Sequence, residues 1–365
     1  MIEETGADYK VLALCANNNI KLLELQARKF KPEFCVVYSE HHARELKTKL
    51  NDTSIKVLSG IEGINFIASH ERADYVINAL MGQIGIMPTL AAVEAGRNIG
   101  LANKEPLVCA GELIMRRSRE TGARILPVDS EHCAVFQCIL GEEPNDIEKL
   151  ILTASGGPFY GKSRTDLENV SLAQTLKHPT WNMGKKITVD SATMMNKGLE
   201  LIEARWLFDI MPENIEILIH RESIVHSLVQ FIDKSVIAQL SLPDMKFCIH
   251  YALSFHSKNK REKRRAEELD LAQIKNLSFA PPDNQTFIFP ELARFAVNEG
   301  GTLPAVMNAA NEAAVDLFLA EKIKFSDIFE LVERSAACHK NIKNPNIDDI
   351  IDCVNETSNR IRSEY

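Results

Sequence analysis

Residues 75–105 decide the predicted fold, and their sequence is YVINALMGQIGIMPTLAAVEAGRNIGLANKE. Residues 75–79 and 99–102 are short apolar runs of the kind that form buried strands. Between them, residues 87–96 have a helical pattern, with a proline near the start and a glycine at the end. A strand, a helix and a second strand in this order predict a βαβ unit with parallel strands.

The same alternation continues on both sides of this unit. Further apolar runs predict strands at residues 11–16, 34–38, 55–58 and 125–128. A helical pattern with Leu22, Leu23, Leu25 and Phe30 lies between the first two of these strands. Strands that alternate with helices predict an α/β domain over residues 1–128, built on a parallel sheet that is covered on both faces.

The remainder of the chain predicts two further domains joined by a linker. Residues 129–255 predict an α+β domain, with a helix that begins near Ala192 and strands at 215–219 and 236–240. Residues 289–365 have a helical pattern and predict a C-terminal helical bundle. Residues 256–288 are predicted to be a linker. Six basic residues lie at 258–265, but no aromatic residue interleaves with them, so a solvated segment is favoured over a nucleic-acid site.

The composition excludes several classes of protein. The 365 residues carry a formal net charge of −8, so the chain has no overall basic field for nucleic acid. No apolar stretch approaches the length of about 20 residues that crosses a bilayer, and the first ten residues contain no apolar signal core. None of the eight cysteines forms a C-x-x-C pair, which favours buried free thiols over zinc ligands or disulfides. We therefore expect a cytoplasmic protein with no membrane or nucleic-acid partner.

Polar side chains follow two of the predicted strands. Asn103, Lys104 and Glu105 follow one strand, and Asp129, Ser130 and Glu131 follow the next. Ligands of parallel sheets bind at the carboxyl ends of the strands. Two carboxylates two residues apart on an extended segment point to the same side. Asp129 and Glu131 are therefore candidate ligands for Mg²⁺ or Mn²⁺, the alternative being an ordinary polar turn.

A second group of polar residues lies near the predicted helix at Ala192. Ser191, Asn196 and Lys197 are candidates to bind an anion near the start of that helix, where free N–H groups favour phosphate. Glu200 shares a helix face with Asn196 and Lys197, so it can bring a third carboxylate to the cation. The alternative is a capped surface helix with a Lys–Glu pair.

Two loops complete the candidate site. Ser155 opens a Gly-Gly-Pro turn whose backbone can approach an anion closely, although a turn needed only for packing is equally compatible. Residues 178–184 contain His178, Trp181 and Met183, a composition compatible with a lid over a site. A lone tryptophan that anchors its loop to the core is the alternative.

Taken in order, these segments resemble the 1-deoxy-D-xylulose 5-phosphate reductoisomerase family over nearly the whole chain. The matching strings are LANKE (101–105), LPVDSEH (126–132), SGGPF (155–159), MGKKI (183–187), VDSATMMNKGLELIEA (189–204) and NAANE (308–312). The fifth string is long and highly specific. The resemblance implies a Rossmann-like NADPH-binding domain, an α+β catalytic domain with a flexible lid, a C-terminal helical bundle and a homodimer.

The resemblance also implies an activity and a role for each candidate residue. The activity is the rearrangement and NADPH-dependent reduction of 1-deoxy-D-xylulose 5-phosphate to 2-C-methyl-D-erythritol 4-phosphate, in the non-mevalonate isoprenoid pathway. The implied metal ligands are Asp129, Glu131 and Glu200. The implied contacts to substrate hydroxyls are Lys104, Ser130 and Glu131. The implied phosphate ligands are Ser155, His178, Ser191, Asn196 and Lys197, with Trp181 and Met183 as cover. The implied NADPH contacts are Asn17, Asn18, Asn19, Asn103, Glu105 and Gly184.

The sequence departs from the family pattern at its start. The family has a strand and a Gly-rich loop ahead of the strand that matches residues 11–16, and the sequence begins after both. Because such a loop normally cradles the cofactor pyrophosphate, we expect weaker NADPH binding. The alternatives are a start codon further upstream, a natural truncation, and a non-catalytic homologue that keeps the metal and sugar-phosphate site. Smaller departures, at Pro106, Cys133 and Thr180, are expected to be tolerated.

Overall fold

The computed structural model describes residues 2, 9–258, 261, 263 and 266–365. Most of the basic run at 258–265 lies outside the described residues. The chain divides into two compact units. The first contains the described residues up to 106, residues 114–128 and those from 249 to 263, and the second contains residues 107–113, 129–248 and 266–365.

The first unit has the predicted α/β organisation. Its strands are β1 (Ala13–Ala16), β2 (Phe34–Val37), β3 (Lys56–Ser59), β4 (Tyr75–Asn78), β5 (Asn98–Leu101) and β6 (Ile125–Pro127). Its helices are α1 (Ile20–Phe30), α2 (Glu40–Lys49), α3 (Gly60–Ser69) and α4 (Ile86–Glu94), and α5 (Glu105–Thr121) contributes to both units. Every pairing recorded among these strands is parallel, as predicted, but they form two three-stranded sheets, β1-β2-β3 and β4-β5-β6, instead of one. Residues Phe34 to Val37 of β2 are all buried, and strands that are buried on both faces appear in the sequence as continuous apolar runs.

The second unit combines a mixed sheet with helices. Its strands are β7 (Ile147–Ala154), β8 (Ile215–Ile219), β9 (Val225–Phe231) and β10 (Val236–Leu240), in the order β10-β9-β7-β8. The helices before β8 are α6 (Ser130–Cys138), α7 (Arg164–Leu167), α8 (Leu172–Thr175), α9 (Lys185–Ala192) and α10 (Met195–Phe208). The helices after β10 are α11 (Met245–Lys258), which crosses the unit boundary, α12 (Leu271–Ile274), α13 (Phe289–Glu299), α14 (Leu303–Leu319), α15 (Phe325–Cys338) and α16 (Ile347–Ser363).

One hydrophobic core joins the sheet and the C-terminal helices of the second unit. Leu150 and Leu152 of β7 are fully buried in the same core as Phe289 and Phe329. The rings of these two phenylalanines stack with their centroids 4.8 Å apart. Burial of a large apolar side chain contributes about 1.5–3 kcal/mol. This shared core gives the helices that carry the candidate site a rigid support.

Two expectations were wrong in detail. The helix expected from about Ala192 is α10, which begins at Met195, and a helix that was not expected, α9, ends at Ala192; Met194, whose backbone is left-handed with a φ of 63°, separates the two. The cysteines are free, as expected, but not all are buried: Cys338, at the end of α15, is exposed and Cys15 is partly exposed. Within the described ranges, no helix combines the length and the apolar character that crossing a membrane requires.

Candidate metal and phosphate site

Three carboxylates meet in the second unit. Asp129 is the N-cap of α6, where its side chain accepts hydrogen bonds from the backbone N–H of Glu131 at 3.0 Å and of His132 at 3.3 Å. Glu131 lies in the first turn of α6, and Glu200 lies in α10 with only 1% of its surface exposed. One carboxylate oxygen from each of Asp129, Glu131 and Glu200 lies within 4.8 Å of the other two. These three residues are called the acidic cluster below.

The local geometry of the acidic cluster differs from the prediction. Asp129 and Glu131 were expected on an extended segment, but α6 begins at Ser130, directly after Asp129. A carboxylate at an N-cap satisfies the free N–H groups of the first turn and is favoured by the helix dipole. The helix start therefore orients Asp129, while Glu131 reaches the cluster from the first turn. The hydroxyl of Ser130 donates to the Glu131 carboxylate.

Lys197 lies inside the acidic cluster. Its ammonium is 2.9 Å from Glu131 Oε1 and also contacts the carboxylate of Glu200. The side-chain amide of Asn196 donates to the other oxygen of Glu200. Burial opposes the charge on Lys197, but Glu131 and Glu200 outweigh it and raise the pKa of the ammonium. The shared helix face of Asn196, Lys197 and Glu200 was predicted correctly. Asn196 and Lys197 were expected to bind an anion, and in the structure both contact carboxylate side chains.

The donor set of the acidic cluster fits a divalent cation. Carboxylate oxygens are the ligands that Mg²⁺ and Mn²⁺ prefer. The three carboxylates carry more negative charge than the Lys197 ammonium that contacts two of them can offset. A dication that binds to Asp129, Glu131 and Glu200 would offset this excess.

A second cluster gathers Ser155, His178 and Ser191, which are called the phosphate cluster below. His178 Nε2 is 3.0 Å from Ser155 Oγ and 3.1 Å from Ser191 Oγ. Ser155 Oγ also accepts a hydrogen bond from the N–H of Gly157 at 3.2 Å. Ser191 was expected near a helix start but lies in the last turn of α9, because α9 begins at Lys185. Its carbonyl packs so tightly on Gly157 that an added Cβ there would lie 2.6 Å from the oxygen.

The hydrogen bonds of His178 fix its neutral tautomer. Its Nδ1 accepts from the N–H of Thr180 at 3.2 Å and of Trp181 at 2.9 Å. Nε2 therefore carries the proton and donates to the serine oxygens. Burial, reinforced by the charge of Arg221, lowers the pKa of His178 to about 4. The phosphate cluster thus presents hydroxyl and N–H donors to a ligand.

The predicted lid segment folds next to the phosphate cluster. The Trp181 ring is tilted against the ring of His226, with the centroids 6.3 Å apart. Met183 is partly exposed, and Gly184 is the exposed N-cap of α9. Burial lowers the pKa of His226 to about 4. The tryptophan is therefore neither free in solvent nor buried in the core.

The other predicted cofactor residues lie in the first unit. Asn17, Asn18 and Asn19 form the turn between β1 and α1, and Asn19 Oδ1 caps α1 by accepting from the N–H of Leu22 at 3.2 Å. Asn103 is buried and donates to the carbonyls of Leu80 and Gly82. Asn103 Oδ1 accepts from the N–H of Glu105 at 3.0 Å, and Lys104 is the N-cap of α5. These contacts hold the backbone at the ends of β4 and β5.

Three residues of the site were missed from the sequence. His132 is fully buried, and its Nε2 is 2.9 Å from the carbonyl oxygen of Glu200, so it ties α6 to α10. His226 packs against Trp181, and Arg221 binds the glycine turn. His132 was within reach of sequence reasoning, because it directly follows Glu131 in a matching string. Arg221 and His226 lie outside the strings, and only the pairing of strands brings them close.

The fold and the acidic cluster define the class as an α/β enzyme with a candidate metal centre. Models described as 1-deoxy-D-xylulose 5-phosphate reductoisomerase match residues 1–111, and models of the C-terminal domains of that enzyme match residues 125–208 and 240–360. A 1-deoxy-D-xylulose 5-phosphate reductoisomerase of Caldanaerobacter subterraneus subsp. tengcongensis is 48% identical over 365 residues, which are 100% of this chain and 94% of the relative. The chain therefore belongs to the 1-deoxy-D-xylulose 5-phosphate reductoisomerase family.

Solved structures of the family superpose on the whole chain. The reductoisomerase from Zymomonas mobilis in complex with NADPH is 39% identical with a TM-score of 0.90, over 98% of this chain and 92% of that chain. A DOX-P reductoisomerase in complex with NADPH, fosmidomycin and magnesium is 38% identical with a TM-score of 0.92, over 100% of this chain and 93% of that chain. The predicted fold class is thereby confirmed.

Proposed function

We propose that this chain isomerises and reduces 1-deoxy-D-xylulose 5-phosphate to 2-C-methyl-D-erythritol 4-phosphate, with NADPH and a divalent metal, Mg²⁺ or Mn²⁺. The observation that carries the proposal is the convergence of Asp129, Glu131 and Glu200 within 4.8 Å, in the unit that also contains the phosphate cluster. Family membership supports the same reaction. The structures of relatives with NADPH and magnesium support both cofactors.

The acidic cluster would hold the metal. A bound dication would polarise the substrate carbonyl and chelate neighbouring oxygens as a Lewis acid and template. Asp129, Glu131 and Glu200 supply the oxygen ligands, and the N-cap position of Asp129 keeps its carboxylate oriented before the metal arrives. We assign contacts with substrate hydroxyls to Lys104, Ser130 and Glu131.

The phosphate cluster would hold the other end of the substrate. Ser155, Ser191 and His178 offer donors to phosphate oxygens, because the neutral His178 presents its Nε2–H. We assign Asn196 and Lys197 to the same phosphate, and their contacts with Glu200 support a phosphate position close to the acidic cluster. Trp181 and Met183 are assigned to cover the substrate and to exclude water.

The remaining assignments concern the cofactor and the assembly. We assign NADPH contacts to the turn at Asn17–Asn19, to Asn103 and Glu105, and to Gly184. We propose an NADPH domain at 1–128, a catalytic domain at 129–255, a linker at 256–288 and a helical domain at 289–365. We further propose a homodimer in the cytoplasm that has no nucleic-acid partner.

Calorimetry with fosmidomycin tests the proposal, because this ligand pairs a phosphonate with a metal-binding hydroxamate. We expect binding with Mn²⁺ and little binding in EDTA. Asp129→Asn should weaken binding at least about 100-fold, and Ser191→Ala about tenfold, because one hydrogen bond to a charged group is worth about 1.5–3 kcal/mol. Ser163→Ala is the matched control, because Ser163 caps α7 and belongs to neither cluster. A folded wild-type sample that does not bind fosmidomycin with Mn²⁺ would contradict the proposal.

A further inference from the structure

The glycine turn after β7 is held by an arginine that the sequence motifs do not contain. Arg221 Nη1 donates to the carbonyl oxygen of Ser155 at 2.7 Å and to that of Gly157 at 2.8 Å. Parallel pairing of β7 with β8 sets Ala154 opposite Ile219, so the loops after both strands leave the sheet at the same edge. The position of Arg221 is therefore a direct consequence of the sheet topology.

The turn needs such a support. Gly156 and Gly157 have φ values of 75° and 66°, in the left-handed region that favours glycine. Two consecutive glycines lose a large backbone entropy when they are fixed. A guanidinium that binds the carbonyls on both sides of Gly156 restricts the turn that carries Ser155. Arg221 therefore contacts the backbone of the residue whose hydroxyl joins the phosphate cluster.

Arg221 also carries a positive charge, and none of its recorded contacts is with a carboxylate. Its partners are two carbonyl oxygens and the ring of Tyr160, whose centroid lies 5.1 Å from the guanidinium carbon. A guanidinium stays protonated in proteins. The ammonium of Lys197 contacts two carboxylates, and that of Lys186 contacts one. The phosphate cluster itself is neutral, because His178 is unprotonated at neutral pH.

We propose that Arg221 is a positioning residue of the phosphate subsite, which fixes the glycine turn and supplies positive charge that favours a phosphate dianion. The inference rests on the proposed function, since it takes the phosphate cluster as the site of the substrate phosphate. Arg221 acts through its hold on Ser155 and through the positive electrostatic potential that it adds at the phosphate cluster. The effect is confined to ligands that carry a phosphate or phosphonate.

Two substitutions separate the geometry from the charge. Arg221→Gln removes both, whereas Arg221→Lys keeps the charge on a shorter side chain that lacks the planar Nη1 amino group bound to the two carbonyls. Arg294→Gln is the matched control, because Arg294 also donates to two backbone carbonyls in the same unit, those of Pro212 and Ile215. The probes are fosmidomycin and acetohydroxamate, both with Mn²⁺, and the second has no phosphonate.

We expect Arg221→Gln to weaken fosmidomycin binding by roughly 10- to 100-fold. Arg221→Lys should lose less, and Arg294→Gln should stay within about twofold of wild type. Acetohydroxamate should bind all the variants equally, because it does not reach the phosphate cluster. In turnover, KM for the phosphorylated substrate should rise more than kcat falls.

Several outcomes would overturn the inference. Arg221→Gln with wild-type affinity for fosmidomycin would refute it and leave the proposed function standing, whereas a wild-type chain that binds no fosmidomycin would refute both. Equal losses in Arg221→Gln and Arg221→Lys would refute the role of the charge. A parallel loss of acetohydroxamate binding would also refute the inference, because the effect would then not be confined to ligands with a phosphonate. Should Arg221→Gln not fold, Arg221→Lys carries the test, and unchanged fosmidomycin affinity in that variant refutes the inference.

Discussion

Replacing Lys197 with methionine should make the stability of the protein depend on metal. The Lys197 side chain is only 4% exposed, and its ammonium contacts Glu131 and Glu200, which are 18% and 1% exposed. Removing one partner of a buried ion pair typically costs about 3–5 kcal/mol, because the other charge stays buried and unpaired. The partial exposure of Glu131 moves the expected loss towards the lower end, about 3 kcal/mol.

A divalent cation should restore most of this loss. The cation offsets the charge of the same carboxylates, and in the variant it is no longer repelled by the Lys197 ammonium. Because Mn²⁺ stabilises the native state of both proteins, the difference between them falls only by RT ln of the ratio of their Kd values. We expect the variant to bind Mn²⁺ about 100-fold more tightly than wild type, which corresponds to about 2.7 kcal/mol. The difference in the free energy of unfolding between Lys197→Met and wild type should therefore fall from about 3 kcal/mol in EDTA to below about 1 kcal/mol in saturating Mn²⁺.

Urea unfolding in both buffers measures the effect, with Lys186→Met as the matched control. The Lys186 ammonium lies 2.9 Å from Asp190 Oδ2, a buried carboxylate outside the acidic cluster. The control should be destabilised to the same extent with and without Mn²⁺. If Mn²⁺ restores Lys197→Met no more than it restores Lys186→Met, the acidic cluster is not the metal site and the reasoning fails.

Three further predictions concern catalysis, pH and the lid. Glu200→Gln should lower kcat/KM at least about 100-fold at limiting Mn²⁺, since a neutral amide binds a hard cation poorly. Glu216→Gln, at a glutamate of β8 that pairs with Lys149 outside both clusters, should keep activity, and equal rates in the two variants would contradict this. Burial and a nearby guanidinium lower the pKa of His178 to about 4, so the native state binds fewer protons than the unfolded chain between about pH 4 and 6.5. The free energy of unfolding should therefore fall as pH drops from about 6.5 to about 4. His178→Gln should flatten this dependence in urea titrations, and an unchanged slope would contradict the lowered pKa of His178. Trp181 fluorescence, isolated in a Trp206→Phe variant, should respond to fosmidomycin, and an unchanged spectrum at saturation would mean that the residue is simply packed.

The acidic cluster could be predicted because its members lie at strand ends and on helix faces. Asp129 and Glu131 follow an apolar run, and Glu200 lies three to four residues from Asn196 and Lys197. These spacings are local, so the sequence carries them directly. Asp129 has the extended backbone that was assumed, but the assumption was wrong for Glu131 because helix α6 begins at Ser130, and such boundaries depend on capping contacts.

The partners of Lys197 and the role of Arg221 could not be predicted in the same way. The helix spacing puts Lys197 near Glu200, but it does not reveal whether the ammonium binds a carboxylate or a phosphate. Arg221 reaches Ser155, 66 positions earlier in the sequence, because β7 and β8 pair in parallel. Contacts across a sheet depend on register, which sequence patterns specify only through the buried face.

Turnover of the purified chain with 1-deoxy-D-xylulose 5-phosphate, NADPH and Mn²⁺ is the decisive test of the proposed function. NADPH consumption is followed by absorbance, and the product is identified by NMR. The account predicts that 2-C-methyl-D-erythritol 4-phosphate forms in an amount equal to the NADPH consumed, and that EDTA or Glu200→Gln abolishes both signals. A folded chain that binds Mn²⁺ yet forms no 2-C-methyl-D-erythritol 4-phosphate would contradict the account.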